Sequence, residues 1–195
     1  MYTLKEFEKI FVFTGPHGAG RKTVAEMLGS TLNMKQVLSH TSRPQKPTEV
    51  HGQDYFFITS PQFDELESAN EFIEINQIRQ YRYGIKSVDI EKMFQSIGSI
   101  YLILNRYGAE TLKTLYAGNV IRICIHADIQ VLKERMRESG DSEDLIAQYL
   151  SLYNEEMDYR HECEHIIENI DLAHTVFDLT KILDTYLQRN LIDLD

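Results

Sequence analysis

Short, continuous apolar runs alternate along the chain with segments in which hydrophobic residues recur every three or four positions. Residues 10–13 form an apolar run, whereas Val24, Met27, Leu28 and Leu32 mark one face of the segment that follows. Runs of the first kind are typical of buried strands, and segments of the second kind are typical of amphipathic helices. The alternation predicts an α/β fold with a parallel sheet covered on both faces by helices.

The same reasoning assigns the other elements. Strands are predicted at residues 36–40, 54–59, 72–79, 99–104, 120–127 and 165–168. Helices are predicted at residues 21–33, 87–96, 107–116, 128–138, 142–161 and 171–188. A shorter helix is predicted with Ser60 as its N-cap and Pro61 at its first position. Because residues 72–79 alternate with period two, as in a half-exposed antiparallel strand, residues 39–86 are expected to form a small mixed lobe inserted into the α/β core.

Composition and charge narrow the class of protein. A chain of 195 residues with 43% hydrophobic residues fits one domain. Its net charge of −10 disfavours binding along a nucleic-acid backbone. The longest apolar runs are too short to cross a bilayer, and the charged first residues are unlike a signal peptide. Two cysteines, Cys124 and Cys163, predict a reducing compartment, so a cytoplasmic protein is expected.

A glycine-rich segment lies between the first predicted strand and the first predicted helix. Glycines let the backbone wrap around an anion, and the free amides at a helix start point toward it. Strand, glycine loop and helix in this order are the context of a P-loop, although a plain glycine-rich turn is the alternative. The residues expected to bind phosphate groups are Gly15, His17, Gly18, Ala19, Gly20, Arg21, Lys22 and Thr23.

The loop departs from the pattern G-x-x-x-x-G-K-[ST] at two positions. Arg21 stands at the lysine position, and Lys22 stands at the hydroxyl position. Arginine keeps the charge and can bind phosphate with two donors, but it is longer and planar. Because Lys22 cannot coordinate magnesium, we expect phosphate binding with impaired placement of the metal. His17 either contacts the donor phosphates or is an exposed loop histidine.

Four segments in order then show a resemblance to a known family. They are GPHGAG, the stretch S-x-T-S-R followed by E-V-H-G-Q-D-Y, the stretch F-I-E with Y-R-Y-G after it, and I-I-E-N-I-D-L-A. With these segments the chain resembles guanylate kinases from about residue 10 to residue 183. The resemblance implies a single domain over 1–195 with a P-loop NTPase-type parallel core. That core comprises residues 1–38, 87–127 and 163–195, with a mixed GMP-binding lobe at 39–86 and a helical lid at 128–162.

The resemblance also implies an acceptor pocket for GMP. The implied pocket residues are Ser39, Arg43, Lys46, Glu49, Tyr55, Glu74, Tyr83 and Asn105. Arginine, a second cation and hydroxyl donors suit a phosphomonoester dianion, and the carboxylate of Glu74 suits the donor–donor edge of guanine. Taken singly, each residue has a structural alternative as a surface charge or a core aromatic.

The implied phosphoryl-transfer apparatus is less complete. The residues expected to act in catalysis are Arg21, Arg135 and Arg137, and no protein metal ligand is assigned. Family acid positions hold Ile103 and Asn105, and family lid arginine positions hold Ser139 and Tyr149. Because phosphoryl transfer depends on positioning and on neutralising charge, these departures predict slow turnover.

Three functions remain open at this point. The leading one is a guanylate kinase-like phosphotransferase of purine metabolism that converts ATP and GMP to ADP and GDP with Mg²⁺. The alternative is a catalytically inactive guanylate kinase-like domain that binds GMP or a phosphorylated partner. A third is a kinase for another monophosphate, which rests on Ile85 and Asn105 at positions that read the base in the family. GMP and ATP are the expected ligands, with neither nucleic acid nor membrane as a partner.

Overall fold

The computed structural model describes residues 3–187, which form two sheets and eight α-helices in that part of the chain. The strands are β1 Ile10–Thr14, β2 Lys35–Gln36, β3 His40–Thr41, β4 Phe56–Phe57, β5 Phe72–Ile78, β6 Tyr81–Lys86, β7 Ile100–Ile103, β8 Val120–His126 and β9 His165–Glu168. The helices are α1 Arg21–Thr31, α2 Ser60–Ser68, α3 Ser87–Ile97, α4 Arg106–Tyr116, α5 Ile129–Glu138, α6 Glu143–Ser151, α7 Tyr153–Tyr159 and α8 Leu172–Leu187.

The larger sheet has five strands in the order β2-β7-β1-β8-β9, and all of its strand pairs are parallel. Its central strand β1 is buried along its whole length. Phe11 and Phe13 pack with α1, α5 and α8 on one face, whereas Ile10 and Val12 pack with α3 and α4 on the other. Side chains alternate across a strand, so each face of the sheet receives its own hydrophobic layer. The predicted α/β fold with a covered parallel sheet is confirmed.

The smaller sheet has four strands in the order β4-β3-β6-β5 and combines parallel and antiparallel pairs. All four strands come from residues 40–86, within the lobe that the sequence predicts. The adjoining helix α2 begins one residue earlier than predicted, with Thr59 rather than Ser60 as its N-cap. Thr59 accepts from the amide of Gln62, whose side chain returns to the Thr59 amide, and this reciprocal capping box needs that spacing.

Three other elements differ from the predictions. The strand predicted at 36–40 is two short strands, because β2 pairs in the parallel sheet and β3 in the mixed sheet. The sequence pattern did not predict β6, which forms an antiparallel hairpin with β5. The single helix predicted at 142–161 is two helices, because α6 ends at Ser151 with Leu152 as its C-cap and α7 begins at Tyr153. Residue 188, the predicted end of the last helix, lies outside the described residues.

The carboxyl ends of β1, β7 and β8 meet at one edge of the parallel sheet. The glycine-rich loop follows β1, Asn105 follows β7, and the three helices α5, α6 and α7 follow β8. This edge is where open α/β sheets bind ligands. Within residues 3–187, the helices lack the combination of length and apolar character that crossing a membrane requires.

Candidate active site

Two clefts adjoin at this edge of the sheet. The loop cleft, of about 700 Å³, is lined by the start of α1, by α5 and by residues Asp54, Asp141 and Asn169. The lobe cleft, of about 360 Å³, is lined mainly by the mixed sheet together with Asn105 and residues of α6 and α7. Arg21, His17, Ser39, Tyr55 and Ile103 line both clefts. Volumes of this order suit small-molecule ligands, and the shared residues mark where two ligands would meet.

Backbone geometry explains the glycines of the loop. Gly15 has φ +119°, and a Cβ there would collide with the carbonyl oxygen of Ile125. Gly20 has φ +86°, and a Cβ there would lie 2.6 Å from the Asn169 amide nitrogen. Positive φ is open to glycine at little cost. Gly20 precedes α1 without a side-chain cap, so the amides of the first helical turn can receive an anion.

Asn169 and Arg135 support the glycine-rich loop through a chain of two hydrogen bonds. The Asn169 side-chain amide donates to the carbonyl of Ala19 at 2.9 Å, and Arg135 Nη2 donates to the Asn169 carbonyl at 2.9 Å. Arg135 Nη1 is buried and has no hydrogen-bond partner among the described residues. Because Arg135 also lines the loop cleft, that nitrogen is a donor suited to an anionic ligand.

The two cations at the start of α1 are already bound to protein groups. Arg21 Nη1 donates to the Leu104 carbonyl at 3.3 Å. Lys22 forms an ion pair with Asp54 and lies 3.7 Å from a carboxylate oxygen of Glu26. Burial alone lowers the pKa of Lys22, but the contact with Asp54 raises it above its ordinary value. An incoming phosphate must therefore exchange with these protein partners or join them.

In the lobe cleft, one guanidinium is held in place by a carboxylate and an aromatic ring. Arg43 Nη2 donates to Glu49 at 2.7 Å, and the Arg43 guanidinium carbon lies 5.5 Å from the centre of the Tyr55 ring. Tyr55 and Tyr83 contact each other edge to face at 5.8 Å. The other Glu49 oxygen accepts from the Lys46 amide at 2.8 Å. Two phenols and a fixed guanidinium form a donor set suited to a phosphate dianion.

A buried carboxylate lies in the same cleft. Glu74 is 6% exposed, and burial raises its pKa to about 7. The first turn of α4 packs against it, since a Cβ on Gly108 would lie 3.0 Å from Glu74 Oε1. Asn105 caps that helix, with Oδ1 accepting from the Gly108 amide at 3.1 Å. Ile85 is fully buried in the core and is not among the residues lining the two clefts.

Most predicted site residues line one or both clefts. They are Gly15, His17, Gly18, Gly20, Arg21, Lys22, Thr23, Ser39, Arg43, Lys46, Glu49, Tyr55, Glu74, Tyr83, Asn105 and Arg135. Ala19 is different, because it is fully buried and its carbonyl is taken by Asn169. Arg137 is also not brought to the clefts. It is exposed and paired with Glu143 on the next helix.

Sequence reasoning missed several residues that line the clefts. They are Asn76, Asp141, Glu156 and Asn169, together with Asp54, the aspartate of the E-V-H-G-Q-D-Y segment, which was not among the predicted pocket residues. Asp54 and Asn169 lie inside segments that carried the family resemblance, so those segments held a usable signal. Asp141 and Glu156 had none, because their positions depend on how α5, α6 and α7 fold back over the sheet. Among the described residues, no three His, Cys, Asp or Glu side chains form a metal-binding group.

Comparisons with known proteins agree on one family. A family model described as guanylate kinase matches residues 7–186. The guanylate kinase of Wolbachia sp. subsp. Brugia malayi (strain TRS) is 31% identical over 178 residues, covering 90% of this chain and 91% of that protein. The guanylate kinase of Wolbachia pipientis wMel is 29% identical over 185 residues, covering 93% and 92%. The crystal structure of guanylate kinase from Anaplasma phagocytophilum is 24% identical, with a TM-score of 0.78, and covers 96% of this chain and 90% of that chain.

Proposed function

The chain belongs to the guanylate kinase family, and from this premise we propose that it transfers the γ-phosphoryl group of ATP to GMP. A phosphate oxygen of GMP attacks the γ-phosphorus while the bond to the β–γ bridging oxygen breaks, giving GDP and ADP. In this proposal residues 39–86 hold the acceptor and residues 128–162 form a lid. The proposed core comprises the described parts of residues 1–38, 87–127 and 163–195.

The observation that carries the proposal is the pairing of two unlike groups in the lobe cleft. Arg43, Tyr55 and Tyr83 offer positive charge and hydroxyl donors for a phosphate. Glu74 offers a carboxyl acceptor in the same cleft. A ligand with a phosphate at one end and a donor–donor base edge at the other matches this arrangement, and GMP has both. Ser39, Lys46 and Glu49 line the cleft and complete the proposed set.

The loop cleft is the proposed site for ATP. The glycine loop and the first-turn amides of α1 would hold the phosphates, and Arg135 would add a cation from α5. Arg21 lines both clefts and is placed to neutralise charge between donor and acceptor. Magnesium would enter as part of the Mg–ATP substrate, since Mg²⁺ keeps several waters and binds largely through phosphate oxygens.

Oxygen donors for that ion are present in the loop cleft, but a cation lies beside them. Thr23 and Asp54 both line the cleft, and Asp54 is paired with Lys22. A hydroxyl and a carboxylate are ligands that Mg²⁺ accepts, whereas an adjacent ammonium group repels it. Slow transfer is therefore part of the proposal.

A second candidate is a guanylate kinase-like domain that binds GMP without transferring phosphate. The Lys22–Asp54 pair favours it, because that pair occupies oxygen donors that Mg–ATP would use. Both candidates require an intact lobe cleft. They differ in whether bound ATP reaches a reactive state.

A coupled assay for ADP release, with GMP as acceptor and Mg–ATP as donor, tests the proposal. We expect GMP-dependent ADP release at a rate below the usual 1–100 per second of kinases. A panel of GMP, dGMP, AMP, UMP and CMP tests the base. Calorimetry with GMP alone and with Mg–ATP alone shows which nucleotide binds, and the ADP-release assay then separates the two candidates. Binding of GMP without any GMP-dependent ADP release would replace the first candidate by the second.

A further inference from the structure

An aromatic stack joins the glycine-rich loop to helix α6. The imidazole of His17 and the ring of Tyr149 lie nearly parallel, at 10°, with ring centres 3.7 Å apart. His17 lines both clefts, and Tyr149 lines the lobe cleft. Distant parts of the sequence thus meet at the junction where the two proposed nucleotides would approach each other.

Two further contacts fix this pair. His17 Nε2 lies 3.7 Å from Asp141 Oδ2, in the connection between α5 and α6. The Arg79 guanidinium carbon lies 5.3 Å from the centre of the Tyr149 ring, which places the turn between β5 and β6 beside α6. The Tyr149 ring therefore contacts the phosphate loop and also the hairpin of the mixed sheet. The imidazole is held by two residues that both follow α5.

Burial, together with two nearby cations, keeps the His17 imidazole neutral at pH 7. Burial is the main cause that lowers the pKa of His17 well below its usual range. Arg21 from α1 and Lys46 from the mixed lobe lower it further, whereas Asp141 opposes them. A neutral imidazole still has one N–H donor, and 40% of the side chain stays exposed at the cleft. That donor is useful to a phosphate only if the ring is correctly oriented.

We infer that Tyr149 is a positioning residue, whose ring holds the His17 imidazole where its N–H can donate to a phosphate oxygen of bound ATP. This inference rests on the proposed function, because it assigns ATP to the loop cleft. His17 is the group that touches the ligand, and Tyr149 acts through it. The inference requires an aromatic ring at position 149 of α6, because the contact with His17 is a stack of two flat rings.

Calorimetric titration with Mg–ATP in the absence of GMP tests the inference without any turnover. Tyr149→Ala should weaken ATP binding about three- to tenfold, in line with the value of an aromatic pair. Tyr149→Phe keeps the ring and is the matched control, with ATP affinity unchanged. Tyr149→Leu keeps apolar volume without a stacking ring and should behave like the alanine variant. GMP affinity should change less than ATP affinity, because Arg43, Tyr55 and Tyr83 hold the acceptor phosphate.

A double-mutant cycle separates positioning from general stability. His17→Ala should weaken ATP binding by a similar factor, and the double variant should be no weaker than the worse single variant. Independent, multiplying losses would overturn the inference, as would unchanged ATP affinity in both Tyr149→Ala and Tyr149→Leu. Wild-type protein without GMP-dependent ADP release would refute the proposed function, but the ATP titrations would still decide the role of Tyr149.

Discussion

The two clefts differ in how their charged groups are held. In the lobe cleft, Arg43 donates to Glu49 and to the Pro44 carbonyl and lies over two aromatic rings, and the remaining N–H groups of its five donors are available for a ligand. In the loop cleft, Lys22 is paired with Asp54, and Arg21 donates to the Leu104 carbonyl. The proposed acceptor side is thus arranged before its ligand arrives. On the proposed donor side, Arg21 and Lys22 are engaged with protein groups, and only Arg135 among these three cations keeps a buried nitrogen without a partner in the described part of the chain.

This difference between the clefts predicts which nucleotide binds more readily. A cation oriented by groups behind it loses little when a phosphate arrives, because its remaining donors point to the ligand. In contrast, a cation such as Lys22, which must leave its carboxylate partner before it can bind a phosphate, loses that interaction. We therefore expect GMP binding to be robust and productive ATP binding to be the weak step. The following experiments test this contrast between the two clefts.

Removing the oriented guanidinium should have the largest effect. Arg43→Ala should weaken GMP binding by roughly 10- to 150-fold, because a charge-assisted contact to a phosphate is worth about 1.5–3 kcal/mol. Calorimetry with GMP measures the loss. ATP affinity should stay within about threefold of wild type.

Arg82→Ala is the matched control for that change. Arg82 lies in β6, beside the strand β3 that precedes Arg43, but it pairs with Asp64 and Glu67 and is not among the residues lining the clefts. Its removal should leave GMP affinity within about twofold of wild type. An equal loss of GMP affinity in both variants would mean that the sheet, rather than the Arg43 contact, determines binding.

Restoring the usual loop should have the next largest effect, on the donor side alone. The double change Arg21→Lys with Lys22→Ser frees Asp54 and supplies a hydroxyl for magnesium. We expect kcat to rise at least about tenfold, since each well-placed charge in a transition state is worth ~10² in rate. The GMP titration should be unchanged. Wild-type turnover at ordinary kinase rates, with no gain in the double variant, would show that the arginine-bearing loop already works.

The sequence predicted the parallel core well and the connections poorly, for a physical reason. Strands such as β1 and β8 are buried on both faces, so their apolar runs are continuous and easy to recognise. The hairpin strand β6 carries Arg82 and Gly84 among its tyrosines, and its pairing with β5 depends on residues distant from any local pattern. The break at Leu152 has neither glycine nor proline to announce it.

The same limit applies to the site. Most residues that motif spacing singled out line the clefts, because the family resemblance fixes which element carries each of them. It did not indicate what those residues touch. That Arg21 reaches the Leu104 carbonyl, or that Tyr149 stacks on His17, depends on packing between separate parts of the chain. Arg137 is exposed, pairs with Glu143 and is not among the residues lining the clefts, so its catalytic role stays a prediction.

The pH dependence of GMP binding gives a smaller effect that isolates the base-reading end of the lobe cleft. Burial raises the pKa of Glu74 to about 7, so its carboxyl is largely protonated at pH 6 and largely ionised at pH 8. If guanine binds the ionised form, GMP affinity should rise up to about tenfold across this range. Glu74→Gln removes this rise. Because the GMP phosphate also titrates near pH 6, the ratio of wild-type to variant affinity is the quantity to measure.

Thermal unfolding of the ligand-free protein checks the sign of that shift. A carboxyl pKa that is higher in the folded state costs stability as pH rises from about 4.5 to about 7. Glu74→Gln has no such titration. Its midpoint relative to wild type should therefore increase across this window and then level off. A constant difference between the two proteins from pH 4.5 to pH 8 would contradict the raised pKa.

The smallest effect is expected at Arg137, which was predicted to be catalytic but is not among the residues lining the clefts. Arg137 is exposed and paired with Glu143, whereas Arg135 lines the loop cleft with a buried, unpaired Nη1. Exposed ion pairs contribute little, so Arg137→Ala should change kcat and the KM for ATP by less than about threefold. Arg135→Ala, two residues away on the same helix, should lower kcat/KM at least about tenfold. If Arg137→Ala proves the more damaging change, α5 must turn when ATP binds, and the donor side would then be assembled by the ligand rather than merely rearranged.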